Sequence, residues 1–307
     1  MYIDVFLIAV KLSCIIMVGG VFDDGYWYSA TTEVISQDLE IKQQINHFVE
    51  EVYGTSMAMH NGTVLMCGGK PNKTKCFQLD HGTWKVHSFL NKKRTFASAV
   101  ETPTATFLFG GELSAGTYEY LPNGSNTWQM GKCEIPNKAL GLGCAISVKS
   151  GQEIWFIGGA MAERRMLVFN VNDHSFSEVS SKLNIGRDRH RCAVIPGTNK
   201  IIITGGRDAS KLNALDSTEI LDTEDGTVTI ASPMNSRRVS HGIGIVTVND
   251  EDRLAIFGGF YSPQKCLDDV ELYNSKTNLW ESTKIKLNDE KAYFGYLTVR
   301  HGDILDL

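Results

Sequence analysis

The sequence predicts an all-β protein of six blades, each a sheet of four antiparallel strands, with blade one closed by the C-terminal strand. Three recurring features predict it. A Gly-Gly doublet follows a short apolar run six times, and a strand of small and apolar residues lies about a dozen residues before five of the doublets. After most doublets, a pair of large apolar residues seven or eight apart brackets a polar turn. The 307 residues suit one large all-β domain. The net charge of −5 lacks the basic footprint of a dedicated nucleic-acid binder. No stretch reaches the roughly 18–20 apolar residues of a membrane-spanning helix.

The apolar start, Met1 to Val18, resembles a secretory leader and fits that role poorly. No basic residue precedes the run Val5–Val10, the run is short, and Lys11 interrupts it. Residues 1–12 are therefore set apart as a leader-like segment and residues 13–307 are assigned to the repeat domain. A cytoplasmic location is favoured, with secretion as the alternative. The seven cysteines show no zinc spacing and read as small buried hydrophobes, though Cys67 and Cys76 flank one hairpin loop and could pair in an oxidising compartment.

The doublets are Gly19-Gly20, Gly68-Gly69, Gly110-Gly111, Gly158-Gly159, Gly205-Gly206 and Gly258-Gly259. Their separations of 49, 42, 48, 47 and 53 residues set the repeat period. A buried strand followed by a sharp turn in a crowded place calls for glycine, which tolerates positive φ and close backbone approach. The bracketing anchors are Phe77 and Trp84, Tyr120 and Trp128, Phe169 and Phe176, Leu221 and Val228, and Tyr273 and Trp280. Blade one has only Val34 or Ile35 at this place. The upstream strands (TSMAMH, FASAVE, GCAISV, RCAVIP, GIGIVT) carry the small side chains an innermost strand needs where blades crowd a central channel. Ala292–Arg300 looks like one more inner strand with no doublet after it, so it is assigned to blade one. The alternative places Ile3–Val10 there and leaves a partial seventh blade.

The doublets, the anchor spacing and an Arg-x-x-His at Arg187–His190 and Arg238–His241 resemble the kelch-repeat family over nearly the whole chain. The resemblance implies a β-propeller. Blades two, three and four depart from the Arg-x-x-His element. Some propellers of this kind are enzymes, so fold alone does not decide activity. The histidines make no recognisable copper or iron constellation, and Asp80–Trp84 is only a fragment of a sialidase-type Asp box. No GxSxG elbow or P-loop is present. Neither a catalytic residue, a metal nor a cofactor is expected.

Loops after each doublet and segments leading into each inner strand should share one face. Arg94, Arg164, Arg165, Arg187, Arg189, His190, Arg207, Arg237 and Arg238 fall there, with Tyr26 and Trp27 as aromatic anchors. Arginine pairs carboxylates bidentately, so the expected partner is a protein presenting an acidic peptide segment, bound by a monomeric propeller. The competing role for these arginines is structural bridging between blades. Two alternative functions stand beside this one. The first is a substrate receptor of a ubiquitin ligase, which would call for a separate adaptor because kelch-like adaptors carry a BTB domain that has no room here before Cys14. The second is a propeller enzyme acting on a sugar or small molecule.

Overall fold

Each apolar run before a doublet forms the second strand of a blade, and such strands are buried along nearly their whole length. They are continuous apolar runs because both faces of a blade pack against neighbouring blades. The computed structural model describes residues 13–22, 28–36, 39–42, 50–136, 143–160, 163–262 and 265–300. Six four-stranded antiparallel sheets follow one another. Their innermost strands are Gly295–Arg300, Ser56–His60, Ser98–Glu101, Cys144–Val148, Arg191–Val194 and Gly242–Val248, for blades one to six in turn. The core is correspondingly divided into six apolar clusters, one between each pair of neighbouring blades.

The closure is as expected. Gly295–Arg300 pairs antiparallel with Ser13–Val18 in six register steps, from Ser13 opposite Arg300 to Val18 opposite Gly295. The ring is thus joined between the two ends of the repeat domain, and the inner edge of Ser13–Val18 is paired. The proposed leader, residues 1–12, lies outside the described residues.

Cross-strand register corrects the anchors in two blades. Phe169 faces Phe176, Leu221 faces Val228 and Tyr273 faces Trp280, as the spacing predicts. In blade two, however, Trp84 faces Leu79, and Phe77 faces Val86. In blade three Tyr120 faces Gln129, which makes Leu121 the anchor beside Trp128. The pleat requires only a large apolar side chain at that register, which Leu79 and Leu121 supply as well as an aromatic ring does. In blade one the anchor is Ile35, opposite Ile41.

Four cysteines are paired, Cys67 and Cys76 as their hairpin allowed, and Cys144 and Cys192 against the reading of them as simple core residues. Cys67 and Cys76 face each other across one hairpin and are bonded. Cys144 and Cys192 are also bonded and tie the inner strands of blades four and five across 48 residues. By loop entropy alone the second bond contributes about 4 kcal/mol. Urea unfolding should show that the wild type exceeds the double variant Cys144→Ser/Cys192→Ser by about that amount, with the gap narrowing in reductant. An equal gap in both conditions would mean that packing, not the bond, is responsible.

Candidate functional site

The two sets of loops do knit into one face. Arg187 and Asp188, leading into an inner strand, pair with Asp208 and Arg207, which follow a doublet. Val239 bridges Phe260 in the same way, and Tyr53 bridges Lys70. The second glycine of five doublets donates its N–H to the segment before the next blade's inner strand: Gly20 to Val52, Gly69 to Arg94, Gly159 to Arg187, Gly206 to Arg238 and Gly259 to Lys291. The acceptor is always four residues before the first residue of the inner strand. Neighbouring blades are therefore stapled backbone to backbone around this face.

The side chain at that same position separates the arginines into two groups. Arg94, Arg187 and Arg238 are wholly buried. Arg94 meets Glu119 at 3.0 Å, Arg187 meets Glu219 at 2.7 Å and Arg238 meets Glu271 at 2.7 Å. In blade one Lys291 pairs with Glu33. Each arginine also donates to the carbonyl of its own blade's first doublet glycine, Gly110, Gly205 or Gly258. The glutamates accept further bonds from the backbone N–H of Asn91, Asn184, Asn235 and Asn288. These side chains act within blades, and their burial withdraws them from any exposed surface. Blades two and four replace both partners: Val52 and Phe77 stand in blade two, and Leu140 and Leu167 take the corresponding sequence positions in blade four. A buried ion pair exchanged as a whole for apolar residues keeps its blade intact, whereas losing one partner would strand a charge.

His190 and His241 are wholly buried as well. Burial, then the charges of Arg187 and Arg191, hold the His190 imidazolium down to about 3. Burial and the same cationic surroundings also hold His241 well below its ordinary value. Both rings are neutral near pH 7. His241 bonds Thr204 of the preceding blade at 2.8 Å, which makes it an inter-blade tie.

The remaining cations are distributed unevenly. Arg165 makes a bidentate pair with Glu178 on the outermost strand of blade four. Arg164 is exposed and donates to the Leu183 carbonyl. Arg189, Arg207 and Arg237 converge on one groove of about 540 Å³ across blades five, six and one. Arg207 is held by Asp188 through two bonds of 3.1 and 2.6 Å, while Arg237 is 59% exposed and only loosely engaged by Asp216 at 3.4 Å. Apolar surface from Val239, Phe260, Ala292 and Tyr293 lines the groove, and Leu212 and Tyr261 stand exposed at its edge. Tyr26 and Trp27 lie outside the described residues.

A ring of residues around the channel mouth was missed by the sequence reading. Two residues before the inner strand stand Gly54, Phe96, Arg189, Ser240 and Tyr293, and all five have positive φ, between 52° and 66°. They are linked backbone to backbone: Phe96 N–H to the Gly54 carbonyl, Gly54 to Tyr293, Tyr293 to Ser240, and Ser240 to Arg189. Bulky residues seldom occupy this region, and strained positions of this sort gather at functional sites. Tyr293 packs against Phe96 at 5.3 Å and Phe260 at 5.4 Å, with the Arg189 guanidinium over its ring at 5.9 Å. Sequence could have revealed the ring only by position, since the five residues share no side-chain chemistry.

Among the described residues no three His, Cys, Asp or Glu side chains gather as metal ligands would, and no helix is long and apolar enough to cross a membrane. The Kelch motif matches residues 188–235 and 244–283. A kelch repeat-containing protein of Dictyostelium discoideum is 28% identical over 154 residues, covering 49% of this chain and 22% of that protein. The matched stretch thus spans less than a quarter of that relative's length.

Proposed function

Since the chain is a kelch-repeat β-propeller, we propose that it acts as a protein-interaction module with no chemistry of its own, and that its groove over blades five, six and one takes an acidic peptide segment. The observation carrying this reading is the meeting of Arg189, Arg207 and Arg237 above an apolar wall. The partner's carboxylates would pair with the guanidinium forks, and an apolar residue beside them would cover Phe260 and Tyr293. Asp188 already neutralises Arg207, so Arg189 and Arg237 carry the attraction.

Peptides selected from a random display library on the purified propeller should be enriched in Asp and Glu next to an aromatic or aliphatic residue. By fluorescence anisotropy, Arg237→Glu should weaken them on the order of tenfold or more, with the loss larger at low salt. Selected peptides that lack acidic residues, or that bind Arg237→Glu like the wild type, would overturn the reading.

A further inference from the structure

Inside the channel, beneath the ring of positive-φ residues, lies a second cavity of about 330 Å³ walled by the inner strands of all six blades. Among the described residues its wall carries two arginines, Arg189 and Arg191, and no aspartate or glutamate. The Arg191 guanidinium lies over the Tyr296 ring at 5.7 Å, as that of Arg189 does over Tyr293. Both tyrosines belong to blade one and both arginines to blade five, so the cations reach past blade six. A ring contact of this kind engages the charge of a guanidinium without using its N–H groups as hydrogen-bond donors.

Those groups are only partly used. Arg191 gives one bond to the His190 carbonyl. The Nε of Arg189, the Nε of Arg191 and the Oγ1 of Thr55 are buried without a hydrogen-bond partner, and all three residues face this cavity. Buried polar groups are normally paired, and three unpaired ones belong to residues around this one space, which suits an acceptor there. Two like charges with no carboxylate nearby favour an anionic one.

We infer that the channel interior binds a small oxyanion, a phosphate or a carboxylate, between the in-plane donors of Arg189 and Arg191. This site is separate from the peptide groove, with Arg189 shared and Arg191 belonging to the channel alone.

The test uses the intact chain with inorganic phosphate as probe, chloride holding the ionic strength constant. Phosphate should raise the thermal midpoint of the wild type by about 2–4 °C, and calorimetric titration should saturate at one site. Arg191→Gln should abolish both signals, and Arg191→Lys, which keeps the charge but loses the fork, should weaken binding at least about tenfold. A phosphate response no larger than that of chloride, or one retained by Arg191→Gln, would overturn the site. Arg237→Glu should bind phosphate like the wild type while losing the peptides, so the two proposals fail independently.

Discussion

Replacing Glu219 by glutamine is expected to destabilise the propeller by about 3–5 kcal/mol, because the Arg187 guanidinium is left charged and buried. Its surroundings offer no escape to water: Arg187 has no exposed side-chain surface, and it otherwise donates to the carbonyls of Ile185, Gly205 and Ser217 and to the Ser217 hydroxyl. Removing both charges has a different result. Arg187→Met with Glu219→Leu should recover most of the loss, since exchanging a buried pair for apolar residues is often neutral or stabilising. The chain already contains this experiment. Blade two has Val52 and Phe77 at the two positions, and both belong to one apolar cluster. Urea unfolding of the single and double variants checks the claim. A single-variant loss below about 1 kcal/mol would place the pair with ordinary exposed salt bridges.

The distance between partners explains why the latch was invisible while the doublets were plain. A doublet is local, and a strand ending against a neighbouring blade leaves its mark in adjacent letters. Arg187 and Glu219 are separated by 32 residues, and a glutamate on a strand reads as an exposed charge until its burial is known. A signal existed all the same. Glu33, Glu119, Glu219 and Glu271 each stand two residues before the third-strand anchor, at Ile35, Leu121, Leu221 and Tyr273. Asn91, Asn184, Asn235 and Asn288 each stand three residues before the cation. Aligning blades two and three on aromatic rings concealed the first pattern, since Phe77 and Tyr120 are not the anchors. The same burial divides the predicted arginines, because repeat position decides which side chains turn into a blade and which reach the groove. The channel's Arg191 carries no mark of its place in sequence, because its ring partner Tyr296 lies more than a hundred residues away and no spacing rule connects them.

The largest single loss is expected at the doublets themselves. Gly205 has φ of 56°, and a Cβ added there would lie 2.6 Å from the Arg238 carbonyl oxygen and 3.0 Å from the His241 ring. Neither neighbour can retreat. That carbonyl accepts from Gly206, the Arg238 side chain is fixed to Glu271 and Gly258, and His241 is tied to Thr204. Gly205→Ala should therefore cost about 4 kcal/mol or more, combining left-handed backbone strain with a clash that separates blades five and six. Gly62 isolates the first of these contributions. Its φ is 77° in a hairpin turn, and nothing lies within 4 Å of the added Cβ. Gly62→Ala should cost only about 1 kcal/mol, the backbone contribution alone. Chemical denaturation of the two variants side by side distinguishes the roles. Equal losses would mean that the doublets need glycine only for its torsion angles; a much larger loss at Gly205 would mean that they need it because the next blade's backbone occupies the place of a side chain.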